Sequence, residues 1–184
     1  VIGKEPLENG AKICAAHIDS PRLDLKQCPL YEDNEIALFK THYYGGIKKY
    51  QWTAIPLALH GVVVLEDGTT VEVNVGEDEN DPVFVISDLL PHLASEQMKK
   101  PATQIITGEE LNIIVGSRPF KEDEESELVK LNILSILNEK YGINEEDFLS
   151  AELEAVPAFK ASDIGFDRSM IGSYGHDDRV CAYP

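Results

Sequence analysis

Ala58–Leu65 (ALHGVVVL) is followed by Asp67-Gly68 and then by Thr70–Val75 (TVEVNV), and this stretch decides the reading of the fold. The first run is apolar and rich in valine. The second alternates valine with polar residues, which is the period of a strand with one face wet. Asp-Gly between them supplies the positive φ angles of a tight hairpin turn. Outward from this hairpin, Glu35–Tyr43, Glu110–Val115 and Phe148–Val156 also read as strands. Ala11–Ile18, small and apolar, reads as a buried strand that stops at Ser20-Pro21, because proline lacks a donor and restricts the residue before it. The middle of the chain is therefore mostly β.

Two helices interrupt it. Ser87 is placed to cap a short helix through about Lys99, with Pro91 early in it. The clearer helix follows the acidic run Glu122-Asp123-Glu124-Glu125. It carries Leu128, Leu131, Leu134 and Leu137 as a stripe, Lys140 near its end and Gly142 as a stop. The region from Val156 to Gly175, rich in Gly, Ser and Asp, reads as loop. The strands near residues 13–18 and 149–156 flank the β-rich middle and read as a separate layer, the pattern of one domain inserted into another.

The 184 residues carry 33 acidic and 16 basic side chains, a net charge of −17. That balance argues against binding a phosphate backbone, which needs clustered Lys and Arg. No apolar run approaches the roughly 20 residues of a membrane span. No secretory leader is visible, and the expected compartment is the cytoplasm. Cys14, Cys28 and Cys181 are dispersed, with no paired spacing for a disulfide framework or a thiolate zinc site. The chain opens without Met and closes soon after a charged run, so a piece of a longer protein is expected. Nucleotide-binding glycine motifs and the serine-hydrolase elbow are absent.

Two clusters carry candidate chemistry. In His17-Ile18-Asp19, residues two apart on a strand share a face, and a neutral imidazole beside a carboxylate suits zinc. The same pair also reads as a satisfied histidine at a strand end. In His176-Asp177-Asp178-Arg179, a carboxylate before a helix either caps it or bridges two cations. Tyr43-Tyr44-Gly45-Gly46 with Trp52 reads as a strand-end turn beside a packed ring. His92 sits among Leu89, Leu90, Pro91 and Leu93, where an ordinary surface or core histidine is the plain reading. His42 and His60 show no partner pattern. The acidic loop 77–81 lacks the spacing of a calcium-binding loop, although a calcium module is one rival reading.

The order of these clusters resembles the M18 metallo-aminopeptidases, the aspartyl aminopeptidase and aminopeptidase I group. Ala15-Ala16-His17-Ile18-Asp19-Ser20-Pro21 resembles the family's first metal motif, and Tyr44-Gly45-Gly46-Ile47 with Trp52 resembles a second stretch. Ile86–Leu93, Asp147–Glu154, Asp163–Gly165 and Ser173–Arg179 follow in the family's order. The resemblance implies an α/β parent fold, a zinc aminopeptidase with an open mixed sheet, carrying an inserted β-rich, barrel- or sandwich-like dimerisation domain. Residues 24–156 would be that insert; residues 1–23 and 157–184 would belong to the catalytic domain.

The same resemblance implies a site of two zinc ions. His17 would be a metal ligand, Asp177 the bridging carboxylate, and Asp19 the support that fixes the imidazole. His92 would act catalytically from a neighbouring subunit. The remaining ligands and the general-base Glu would lie after Pro184, leaving this chain inactive alone. Peptide substrates, dimers assembling to a dodecamer, and no nucleic-acid or membrane partner complete the implied picture. Two departures stand out. Ala54-Ile55-Pro56-Leu57 replaces an acidic-and-arginine stretch tied to specificity for acidic residues, and Asp178 stands where Asn is common. The reading from another class is a non-catalytic oligomerisation or binding module.

Overall fold

The computed structural model describes residues 3–120 and 126–183. The acidic run expected to lead into the long helix lies outside the described residues. The chain forms two compact units, one of Val1–Ser20 with Gly175–Pro184 and a larger one of Pro21–Tyr174.

The larger unit is built on a six-stranded antiparallel sheet. Its strands are β1 (Arg22–Asp33), β2 (Ile36–Tyr44), β3 (Leu57–Val64), β4 (Thr70–Val75), β5 (Ile113–Gly116) and β6 (Glu152–Pro157), in the order β4-β3-β6-β1-β2-β5. Strands β3 and β4 are the hairpin expected from the sequence, in register from Leu59↔Val75 to Val64↔Thr70. Because side chains alternate, the register sorts each face. Val75, Leu59, Ala155 and Leu23 form one cross-strand row, and all four are buried. The adjacent row reads Asn74, His60, Glu154, Asp24 and His42 and is polar throughout.

Strand β6 corrects the expectation that residues 149–156 belong to a separate layer. It lies inside this sheet, pairing with β3 on one side and β1 on the other. Strand β1 is an addition to the sequence reading. Its alternation is broken by a bulge between Leu25 and Leu30, where Cys28 takes φ 48°. The region after β6 is not all loop either. It forms a small antiparallel hairpin of β7 (Ser162–Ile164) and β8 (Met170–Gly172). The entry and exit of the unit are pinned together, since the Tyr174 hydroxyl donates to the Pro21 carbonyl.

The expected helix over residues 87–99 is absent. That segment is turns, ending in a single 3₁₀ turn at Gln97–Lys99. Asp88 Oδ1 accepts from Leu89 N at 2.8 Å and Gln97 Nε2 at 2.9 Å, so its carboxylate stabilises a turn in competition with a helix. Of the segment's apolar residues Ala94 is buried, while Leu90 and Leu93 are 68% and 73% exposed. A one-turn helix α1 (Ala102–Ile105) follows.

The long helix α2 (Leu128–Tyr141) forms where the sequence placed it and ends at Gly142, whose φ of 73° closes a bond from its N–H to Asn138 O at 2.8 Å. Its buried face overlaps the leucine stripe in part, with Leu134 and Leu137 packed against the core. Val129 and Ile133 are buried, and Leu131 is exposed. A strict i+3 stripe drifts about 60° around the helix at each step, so not all of its members face one surface. The start of α2 is held by a distant residue. Glu32 on β1 accepts from Val129 N and Lys130 N, both at 2.9 Å, satisfying two donors that a helix leaves open. Replacing Glu32 with Ala is expected to cost about 1–2 kcal/mol, read as a lowered urea midpoint; Glu32→Gln should recover part of it.

Asp147 shows how this unit satisfies a buried charge. It is 6% exposed, and its two oxygens accept from Glu66 N at 2.9 Å and Asn144 N at 2.8 Å. Trp52 is buried and meets Tyr174 edge to face at 6.5 Å, so the Tyr44–Trp52 stretch is a strand-end turn with a packed ring.

Candidate metal centre

The smaller unit brings together residues from opposite ends of the sequence. The expected strand Ala11–Ile18 is not formed, and the segment is exposed chain without regular secondary structure. A strand persists only where a neighbour takes its backbone donors and acceptors. Among its described residues, this unit holds only a 3₁₀ turn at Leu7–Asn9 and helix α3 (His176–Ala182). The face-sharing argument for His17 and Asp19 therefore loses its basis.

What joins the two segments is a set of hydrogen bonds. Asp178 N donates to Asp19 O at 3.1 Å, and Ser20 Oγ donates to Asp177 O at 3.1 Å across 157 residues of sequence. His17 Nδ1 meets the Asp178 carboxylate at Oδ2. Gly175 supplies the turn into this segment with φ 87°, a conformation that side chains disfavour. Asp177 is itself extended, at φ −90° and ψ 110°, so it stands before the regular part of α3 and its side chain is not part of the helix surface.

The electrostatics follow from two carboxyls side by side. Asp177 is raised above the ordinary carboxylate range, first by its hydrogen bond to Asp178 and then by that neighbour's charge, with His17 pulling the other way. Asp178 is lowered, mainly because it accepts that hydrogen bond, and His17 adds to the effect. Two carboxyls that crowd each other and a nearby imidazole nitrogen form a hard-and-borderline N/O donor set, which suits zinc. By chemical type these donors suit such an ion. Among the described residues, no group of three or more His, Cys, Asp or Glu side chains is gathered to hold a metal.

The other candidates fall elsewhere. His92 belongs to the larger unit, on the exposed turn segment between Ile86 and Lys100. His60 Nε2 lies 3.2 Å from Glu77 Oε1, and His42 stacks on Tyr43. In the acidic loop, Asp81 Oδ2 accepts from Gly76 N and Asp78 N, which holds its carboxyl below the ordinary range. That carboxylate is committed to its own loop. Cys14, Cys28 and Cys181 are exposed free thiols. No described helix is long and apolar enough to cross a membrane. The partner of His17 is the residue that reading the sequence missed. Asp178 is separated from it by almost the whole chain, and only its departure from Asn drew notice.

A sequence profile described as aminopeptidase I zinc metalloprotease (M18) matches residues 1–184. The probable M18 family aminopeptidase 1 of Clostridium acetobutylicum is 67% identical over 183 residues, covering 100% of this chain and 39% of that protein. The crystal structure of aminopeptidase I from the same organism superposes with a TM-score of 0.91 at 63% identity, over 100% of this chain and 40% of that one. The M18 aminopeptidase structure from Thermotoga maritima gives 0.87 at 58% identity, over 91% and 37%. The chain thus spans about two fifths of the length of these relatives. On the match over its full length, and on its identity to these proteins, the chain belongs to the M18 family.

Proposed function

We propose that this chain is part of a zinc-dependent aminopeptidase that removes N-terminal residues from peptides. The observation that carries the reading is the contact of His17 with Asp178, the neighbour of Asp177, between segments at opposite ends of the sequence in one small unit. His17 and Asp177 would hold the metal, and the rest of the ligand set and the general base would come from the part of the protein that its relatives have and this chain does not span. Bound zinc supplies Lewis-acid polarisation of a carbonyl and acidifies water. His17 contributes a neutral ring nitrogen, and Asp177 contributes a carboxylate whose two oxygens suit two cations. Asp19 and Ser20 hold the Asp177–Asp178 segment in place through a backbone carbonyl and a hydroxyl.

In this reading the insert, residues 24–156, lies within the larger unit, Pro21–Tyr174, so its bounds widen to that unit, and the smaller unit belongs to an α/β catalytic domain. The hydrogen bond between Tyr174 and Pro21 supports it, since an inserted domain must leave its host where it enters. We further propose that the protein acts as a homo-oligomer in the cytoplasm, with His92 supplied to a neighbouring copy's substrate. The exposed Leu89, Leu90 and Leu93 beside His92 support a surface that is covered on association. The same leucines favour the second reading, a module whose role is association alone.

Metal titration separates the two. The 184-residue chain should bind zinc weakly, and a longer chain extending past Pro184 should bind two zinc ions per subunit and hydrolyse aminoacyl substrates. Equal, tight binding by both chains would place the metal elsewhere. A longer chain that assembles but neither binds zinc nor hydrolyses substrate would leave association as the function.

A further inference from the structure

A side chain that acts from a loop tip needs its backbone fixed from behind. His92 occupies such a tip. Leu93 N donates to Leu90 O at 2.9 Å and Ala94 N donates to the same oxygen at 3.1 Å, so Pro91 and His92 are the central pair of a tight turn. Proline presets the backbone at the first of these positions. Leu89, Leu90, His92 and Leu93 are all exposed, so apolar packing holds this loop at its base, through buried Ile86 and Ala94, and not at its tip. Ile86 O accepts from Ala54 N, and Ala94 O accepts from Met98 N, both at 2.8 Å. One carboxylate joins the two sides. Asp88 Oδ1 accepts from Leu89 N at 2.8 Å and from Gln97 Nε2, nine positions on, at 2.9 Å. Its Oδ2 lies 3.3 Å from the hydroxyl of buried Thr53, which also meets Tyr50 O at 3.1 Å. Gln97 Nε2 reaches Ile105 O at 3.5 Å as well. Asp88 thus closes the loop at its base and ties it to the turn that carries Trp52, with a charged acceptor that makes each bond stronger than a neutral one would be.

We propose that Asp88 is the positioning residue for His92. Its carboxylate fixes the spacing and direction of the 89–97 loop, so that the imidazole stands at a set place for substrate bound by a neighbouring copy. The destination of His92 rests on the aminopeptidase reading; the clamp does not, because this chain's own residues make it. A misplacement of about 1 Å at a reacting group can cost about 100-fold in rate. Asp88 therefore acts on the chemical step without touching substrate.

The test uses the full-length protein in its assembled form. Asp88→Ala should lower kcat about 10–100-fold with little change in KM. Hydrogen exchange read by mass spectrometry should rise in peptides covering residues 89–98 and stay the same in those covering β3 and β6. Asp88→Asn keeps an acceptor oxygen for Leu89 N and Gln97 Nε2 and should recover most of the rate, which a role for the charge alone would not allow. Glu96→Gln, which removes a charge from the same loop, should leave both readouts unchanged. The double variant Asp88→Ala/His92→Ala should be no slower than His92→Ala alone, because a residue that acts through His92 then has nothing left to position. Losses that multiply in the double variant, unchanged exchange over residues 89–98, or a loss of rate that comes only with dissociation of the assembly overturn the proposal. An unaltered rate in Asp88→Ala beside an impaired His92→Ala overturns it while leaving the reading of His92 in place. Full activity in His92→Ala refutes that reading and the proposal together.

Discussion

Gly61→Ala is expected to lose at least about 4 kcal/mol of stability, enough to unfold the larger unit in most conditions. Gly61 sits in the middle of β3 with φ 138°, a conformation that side chains rarely adopt. A Cβ there would lie 1.9 Å from Glu152 O, 2.9 Å from Glu152 C and 3.0 Å from the Leu153 Cα. All three are backbone atoms of β6, and β6 cannot move aside because it is paired on both flanks. Relief would need the hydrogen bonds of two strand pairs to break together. Chemical denaturation followed by circular dichroism checks the outcome, with Gly46→Ala as the comparison. A Cβ at Gly46 meets nothing within 4 Å, and that variant should keep its midpoint. A folded Gly61→Ala protein with an unchanged midpoint would mean that β3 and β6 are not packed this closely.

Asp177→Ala in the whole protein is expected to lower peptide hydrolysis by about three orders of magnitude, since Lewis-acid stabilisation is worth several kcal/mol. The side chain is exposed and extended, and its carbonyl, which Ser20 holds, survives the substitution. Stability should therefore change by no more than about 0.5 kcal/mol. Zinc content by elemental analysis should fall together with the rate. Full activity at unchanged zinc content would remove Asp177 from the proposed ligand set. A fall in activity with a matching fall in melting temperature would assign it a structural role.

The hairpin of β3 and β4 was legible because everything that makes it is local: an alternating run, a turn dipeptide and a second run in reach of the first. Helix α2 was legible for the same reason, through its apolar content and Gly142. The face it buries was legible only in part, because β1 and β2, distant in sequence, help to select that face. The cap from Glu32 is 97 residues from Val129, a distance no local signal spans. Strand β1 escaped notice because its bulge at residues 26–29 erases the alternation that marks a strand. Ala11–Ile18 looked like a strand because its composition is right. Composition does not supply the neighbouring strand that must take its hydrogen bonds.

The candidate site divides in the same way. From residues alone, the clusters His17-Ile18-Asp19 and His176-Asp177-Asp178-Arg179 were candidates beside a plain structural reading, since imidazole and carboxylate chemistry is carried by the side chain itself, and the family resemblance singled out His17 and Asp177. The family was legible too, because the order of short motifs survives without any knowledge of contacts. Which carboxylate meets the imidazole, which backbone and hydroxyl bonds hold the Asp177–Asp178 segment, and that Asp177 departs from helical geometry within α3 were decided only when the two ends of the chain met. Chemical identity is written residue by residue. The direction in which a side chain points depends on backbone hydrogen bonds between segments, and in this protein those bonds cross 157 residues.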